Sequence, residues 1–261
     1  MIKRFIKDTK KYFPFAVFSA KAELKSEISN SYLSWIWLVL EPFCFMLIYT
    51  FIVTIVFHST EPYLPIFVFI GLTIWNFFNR MVISSVKLVR TYKGVVSKTY
   101  VPKYVLLFIR TIKNGFKMLI SLGIVFVMMI YYKVPITWNV LYLGPVLLLL
   151  VIGTFAACTV LMHFGTFVDD LSNIVTILMR LAFYVSGIFY SLPQRVPQPL
   201  GGWLVYYNPV AFVINETRNI LLFGQPIYYK WYVAWMIFSL VFAAIGISLI
   251  YRYENVYAKV I

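Results

Sequence analysis

Acidic side chains are scarce in this chain. Nine Asp and Glu among 261 residues leave little with which to hold a divalent metal or to run general acid–base chemistry, and Asp169-Asp170 is the only adjacent pair. Cysteine is scarcer still. Cys44 and Cys158 both lie in apolar runs without paired spacing, which excludes a disulfide framework and a cysteine-rich metal site. The two histidines, His58 and His163, stand alone and read as ordinary interfacial or core residues rather than ligands. No G-x-x-x-x-G-K-[ST] loop occurs, so the chain cannot cradle nucleotide phosphates and does not hydrolyse ATP alone. Charged residues of either sign amount to 12%, about half of the roughly 25% usual in soluble domains.

What fills the space is apolar. Hydrophobic residues make up 62%, against roughly 45–50% in soluble domains, and the mean hydropathy is +0.84. A chain of this size cannot bury so much apolar surface inside itself, so lipid must be its solvent. The start is basic but does not read as a signal peptide, because Phe13–Ala20 runs directly into Lys21, Glu23, Lys25 and Glu27 without a small-residue cleavage site. Phe13, Val17, Ala20, Leu24 and Ile28 recur at helical spacing opposite a charged face, with Pro14 in the first turn. Residues 1–30 are therefore expected to form an amphipathic helix on the cytoplasmic membrane surface.

Six spans are expected to follow. The first is Leu33–Phe57, interrupted by Glu41-Pro42, and the second is Leu64–Ile83. The apolar run Met118–Tyr132 is too short for a hydrocarbon core of about 30 Å, so the third helix is expected to begin near Tyr104. Val140–Phe164, Ile174–Leu192 and Trp231–Tyr251 complete the set. Pro209–Phe223 is too short and too polar to span, carrying Asn215, Glu216, Arg218 and Asn219, and reads as a re-entrant or interfacial helix. The fold class is thus an all-α integral membrane protein, a single domain with six transmembrane helices and no long soluble part.

Basic residues set the orientation. Of 23 Lys and Arg, seven fall in the first 30 residues, nine between Arg80 and Lys117, and two in the C-terminal tail. Placing those segments in the cytoplasm satisfies the positive-inside rule and puts both termini there. The formal charge of +14 then describes topology more than a polyanion site, and no nucleic acid partner is expected.

A few polar groups stand out against the apolar background. Glu41-Pro42 reads as a kink with a structural partner, and otherwise as a carboxylate lining a conduit. Arg110, Lys113 and Lys117 share one helix face at i, i+3 and i+7. They either snorkel to anionic headgroups or meet a phosphorylated lipid entering from the inner leaflet. Arg180, in mid-span, needs a partner or water, with Asp169, Asp170 and Glu41 all available. Interfacial belts explain many of the aromatics, but not Phe43, Phe45, Tyr49 and Phe51 in the first span or Phe183, Tyr184, Phe189 and Tyr190 in the fifth. Such rings stack on sugars, although lipid-facing and packing roles are commoner for aromatics.

Four stretches together resemble the permease subunit of type-2 ABC exporters, in the branch exporting lipid-linked polysaccharides such as O-antigens, capsules and teichoic acids. They are AELKSEISNSYLSWIWLVLEPF, VVSKTYVPKYVLL, DDLSNIVTILMRLAFYVSGIFYSLP and, most specifically, YNPVAFVINETRNILLFG. Val168 stands where the family often has Arg, and Ser186-Gly187 where Ser-Pro is usual. The resemblance implies a homodimer in the bacterial cytoplasmic membrane, docked on two copies of a cytoplasmic ABC ATPase that holds the ATP and magnesium. This chain itself would hold no cofactor or metal and would carry no catalytic residues. Residues 84–103 would be a coupling loop, with Lys98, Tyr100, Pro102 and Lys103 meeting the ATPase. Residues 193–230 would form the extracytoplasmic re-entrant segment, with Asn208, Pro209, Arg218 and Gly224 at the gate. Tyr49, Lys113, Lys117, Arg180, Tyr184 and Tyr190 would border the path of a lipid-linked glycan moving between leaflets. Two rivals stand beside this reading: a type-2 permease for a small drug or lipid, and a polytopic glycosyl- or prenyl-transferase, which lacks its carboxylates.

Overall fold

The computed structural model describes residues 2–29, 34–56, 62–254 and 256–257. His58 and the hairpin tip between the first two spans lie outside these residues. Among the described residues every regular element is helical. In chain order they are α1 (Ile2–Ser29), α2 (Ser34–Phe51, continued by a π-turn over Ile52–Val56), α3 (Leu64–Val86), α4 (Leu88–Thr91), α5 (Lys93–Val96) and α6 (Lys103–Tyr131). After a 3₁₀ turn at Trp138–Tyr142 come α7 (Leu143–Phe167), α8 (Leu171–Val185), α9 (Leu192–Arg195), α10 (Leu200–Tyr207), α11 (Pro209–Leu222) and α12 (Tyr229–Arg252).

Four helices are long and apolar enough to cross a bilayer: α3, α6, α7 with its leading turn, and α12. At 1.5 Å per residue the shortest of them, α3 with 23 residues, reaches about 34 Å. Apolar stretches of α2 (Leu40–Ile55) and α8 are shorter. The fifth apolar segment therefore differs from expectation. Its helix stops at Val185, because Gly187 takes a positive φ of 65° and turns the chain away, although the sequence stays apolar to Leu192. The first helix differs too. It begins at Ile2, so Pro14 sits in its interior, where it withholds a backbone donor, rather than in a first turn.

α3 is the central helix. Its residues Ile66–Trp75 are buried without interruption, enclosed by α2, α6, α7, α8 and α11. Between lipid-facing helices there is little hydrophobic drive, so small residues that admit close backbone approach hold the bundle together. A β-carbon at Gly165 of α7 would come within 2.2 Å of the Val86 carbonyl oxygen, and one at Gly246 of α12 within 2.0 Å of Thr159 Oγ1 on α7. Outward faces stay apolar, as lipid requires: Leu119, Val127 and Ile130 on α6, and Ile237, Leu240 and Val241 on α12. α2 and α8 are peripheral. Among α2's described side chains Pro42 and Met46 are buried, and on α8 Val175 and Met179.

The bundle has two distinct ends. Arg4 near the start of α1 pairs with Glu254 beyond α12 at 2.9 Å, so both ends of the described chain, with the α4–α5 loop, share one end. α9, α10 and α11 occupy the other.

Candidate functional site

At the end formed by α9 to α11, Asn208 and Pro209 start a helix for local reasons. Asn208 is the N-cap: its Oδ1 accepts from the amides of Val210 at 3.1 Å and Ala211 at 3.2 Å, and Pro209 needs no partner at the first helical position. The Asn208 Nδ2 donates to Ser186 Oγ at 3.2 Å, tying this cap to the end of α8. About two turns into α11, Glu216 is buried, and its Oε2 accepts from the Tyr228 amide at 2.8 Å, fixing the connection to α12. Arg218 is 4% exposed. Its Nη1 donates to the Gly187 carbonyl at 2.7 Å, Nη2 to Ile188 at 2.6 Å and Nε to Phe67 at 3.1 Å. The guanidinium also covers the Phe67 ring at 3.5 Å. One side chain thus joins α11, α3 and the chain leaving α8. Gly224 closes α11 at φ 60°, and its carbonyl accepts from Asn139 at 2.6 Å. Asn208, Pro209, Arg218 and Gly224, separate in sequence, stand in one assembly.

The aromatics singled out in the first and fifth apolar segments also meet. Tyr49 lies 4.0 Å from Phe189 and 6.4 Å from Phe183, and Phe183 packs on Trp75 of α3 at 5.5 Å. Tyr190 donates its hydroxyl to the Tyr184 carbonyl at 2.9 Å, while the Tyr184 ring is 67% exposed. Phe43, Phe45 and Phe51 face outward from α2. Arg180 is exposed on α8 and is in none of the ion pairs among the described residues: Glu41 pairs with Arg80 at 3.2 Å, and Asp169 with Arg90. Glu41 thus has a structural partner beside a helix-interior Pro42, as the kink reading expects.

At the other end the basic stripe is already matched. Glu23 of α1 faces Arg110 at 3.3 Å and Lys113 at 3.1 Å and also accepts from the Tyr92 hydroxyl. Glu27, one turn further, faces Lys113 at 2.5 Å and Lys117 at 2.6 Å. Partial burial opposes ionisation of Glu27, but hydrogen bonds from Lys113 and Lys117, with their charges, outweigh it and hold the carboxyl below its ordinary range. These two carboxylates were missed as partners. Their own i, i+4 spacing on α1 was the available signal, since it repeats the pitch of the stripe. Ala16 and Ala20 of α1 are fully buried, whereas Phe13 and Phe18 face outward.

The four residues expected to meet the ATPase separate into two kinds. Lys98 and Tyr100 are exposed; Pro102, the N-cap of α6, and Lys103 are buried. The Tyr100 hydroxyl accepts from Arg4 Nη2 at 2.8 Å. Burial, then hydrogen bonding with Glu254, pushes its pKa up to about 12, so the phenol stays neutral. Tyr251 closes the cluster, donating to Asp8 at 2.9 Å.

Among the described residues no group of three or more His, Cys, Asp and Glu could hold a metal ion. What the arrangement offers is a membrane bundle with a tied-down assembly of short helices at one end and an ion-paired surface at the other. Residues 17–222 match the ABC-2 type transporter family. The chain is 24% identical over 251 residues to the O-antigen export system permease protein RfbA of Klebsiella pneumoniae, covering 95% of each chain. It is 24% identical over 217 residues to the protein of the same name from Myxococcus xanthus, covering 83% of this chain and 84% of that one.

Proposed function

The chain belongs to the ABC-2 type transporter family, and from that premise we propose that it is the permease of an ATP-driven exporter of a lipid-linked polysaccharide. A member of this family is the membrane subunit of a transporter and not an enzyme, so the transferase reading falls. ATP hydrolysis belongs to a separate cytoplasmic ATPase, two copies of which dock on a homodimer of this chain in the bacterial cytoplasmic membrane. Six segments cross: α2, α3, α6, α7, α8 continued by its turn, and α12. α1 lies at the cytoplasmic interface with both termini on that side, and α9 to α11 re-enter from the outer side.

The observation that carries the cargo assignment is the aromatic seam where α2 meets the end of α8, with Tyr49 4.0 Å from Phe189. It lies where α2 and the turn after α8, both peripheral, come together, with Tyr184 open beside it. Aromatic faces of this kind accept the apolar face of a sugar ring. The names of the relatives point to the same cargo, and their match spans almost the whole chain. Tyr49, Lys113, Lys117, Arg180, Tyr184 and Tyr190 border the path. Lys98 and Tyr100 meet the ATPase, while Pro102 and Lys103 support them from beneath. Asn208, Pro209, Arg218 and Gly224 hold the outer gate.

Co-expression with an ATPase partner, followed by reconstitution in inside-out vesicles, tests this. ATP-dependent movement of a radiolabelled polyprenyl-diphosphate glycan into the lumen is expected. ATPase activity insensitive to the presence of this chain, or ATP-driven movement of small drugs but no glycan, would overturn it.

A further inference from the structure

Beside Arg218 lies a cavity of about 330 Å³ that none of the roles above uses. Its polar lining comes from three separate stretches: Ser191 and Gln194 at α9, Asn215 and Asn219 on α11, and Gln225 after the turn. Tyr206 of α10 adds a phenol. The stretches are brought together by features already described. The positive φ at Gly224 folds the chain back so that the Gln225 amide donates to the Asn219 carbonyl at 2.9 Å. Arg218 holds Gly187 and Ile188 and thereby places Ser191 at the rim.

The chemistry of this lining is selective. Arg218 is the one charged group in it, and each of its three nitrogens already donates to a backbone carbonyl, so its charge is committed to the protein. The other polar groups are amides and hydroxyls, each able both to donate and to accept, carried on three walls beside the apolar Phe67, Pro193 and Phe223. Glu216 engages the Nδ2 groups of Asn215 at 3.5 Å and Asn219 at 3.4 Å, which leaves both amide oxygens as acceptors. Tyr206 is held rigid, stacked on Trp231 at 5.4 Å with its carbonyl accepting from Trp235. A partner suited to such walls is uncharged, compact and rich in hydroxyls pointing several ways. Ligand pockets run from about 300 to 1,000 Å³, and this one, at the lower limit, fits a single ring.

We propose that this cavity is a carbohydrate subsite taking one neutral pyranose of the exported glycan at the outer end of its path. The assignment to the exported cargo rests on the export reading above; the binding chemistry does not. A sugar seated there would touch α9, α10 and α11 together and would be read for hydroxyl configuration rather than charge.

The test uses the full-length chain with its ATPase partner in nanodiscs. Methyl glycosides of glucose, galactose, mannose and N-acetylglucosamine are titrated as probes, with glucuronate as the anionic one, and binding is followed by ligand-observed NMR. At least one neutral glycoside is expected to bind saturably in the millimolar range. Gln194→Ala with Gln225→Ala, both near the surface, and separately Asn219→Ala, should each weaken it at least tenfold without moving the thermal melting curve. Absence of saturable neutral-glycoside binding, binding of glucuronate alone, or binding unchanged by both sets of variants overturns the proposal. The vesicle assay separates the two readings. Glycan export by a wild-type chain that binds no glycoside removes the subsite and leaves export standing. Glycoside binding of the expected kind without export removes the export reading and leaves the subsite.

Discussion

Arg218 takes the space that a side chain at position 71 would need. A β-carbon on Gly71 would lie 2.7 Å from Arg218 Nη2 and 3.0 Å from the Ile188 carbonyl oxygen. The bare backbone of α3 therefore lets a buried guanidinium lie flat against it and reach the carbonyls beyond α8. Gly71→Ala would push the fork off its acceptors, and overpacking of this kind costs about 1–3 kcal/mol. The thermal midpoint of the purified chain should fall by several degrees, whereas Gly94→Ala, where a β-carbon meets nothing within 4 Å, should leave it in place. Equal midpoints for both variants would remove the close-approach account.

Substitution of Arg218 itself separates charge from geometry. Lysine keeps the charge but has no planar fork and cannot serve carbonyls of Phe67, Gly187 and Ile188 together. A buried acceptor left unpaired costs about 1–3 kcal/mol. Arg218→Lys and Arg218→Ala are both expected to lower the yield of folded, monodisperse protein in fluorescence-detected size exclusion. Near-wild-type behaviour of the lysine variant would mean that charge alone matters there.

Much of the scaffold was legible because hydropathy and helix signals are local. The start of α3 at Leu64, the start of α6 next to Tyr104, and the start of α11 at Pro209 were all readable from composition and length. The end of α8 was not. Its sequence stays apolar to Leu192, and what stops the helix is Gly187 together with Arg218, which lies 31 positions away. Distance in sequence also hid the partners of the basic stripe. Helical spacing placed Arg110, Lys113 and Lys117 on one face but could not say that Glu23 and Glu27, 90 positions earlier, lay across from it. The aromatic residues were visible individually, but their meeting at Tyr49 and Phe189 depends on where the turn after α8 lies against α2.

The α1–α6 ion pairs predict a specific response to pH. Glu27 is held below its ordinary value of 4.5, so the folded state binds fewer protons there than the unfolded state. The contribution of Glu27 is therefore complete above 4.5 and is lost as pH falls through the lower, folded value. A nitroxide on Lys25→Cys, in a Cys44→Ser background, should report unchanged immobilisation of α1 from neutral pH down to 4.5 and release only below it. Glu27→Gln should flatten that response. A release centred well above 4.5 would assign the event to another group.

The proposed coupling surface centres on Tyr100. This residue is 52% exposed and neutral, fixed by Arg4 at 2.8 Å, while Pro102 beneath it is buried and starts α6. Replacing Tyr100 and Pro102 together by alanine should cut stimulation of the partner's ATP turnover roughly tenfold, equivalent to about 1.4 kcal/mol, without displacing the spans. Tyr100→Phe, which keeps the ring and loses only the hydroxyl contacts with Arg4 and Glu254, should retain most of it. Normal pull-down and normal stimulation by the double variant would place the docking surface elsewhere.

The exposed face of α8 carries the prediction on assembly. Ile174, Ile177 and Leu181 all point outward, yet α8 is too short to be a simple lipid-facing span and carries Arg180 on its exposed surface. A second copy of the chain would cover that face through a twofold axis, where a residue meets its own counterpart. Single cysteines at 174, 177 and 181 in a Cys44→Ser background should therefore include at least one that forms a disulfide-linked dimer on mild oxidation, since bridging needs α-carbons within about 7 Å. Leu119→Cys on α6 is equally open at 60% but has no counterpart expected opposite it, and serves as the control. Cross-linking at Leu119 with none along α8 would move the dimer interface to α6 and leave Arg180 to be accounted for by water.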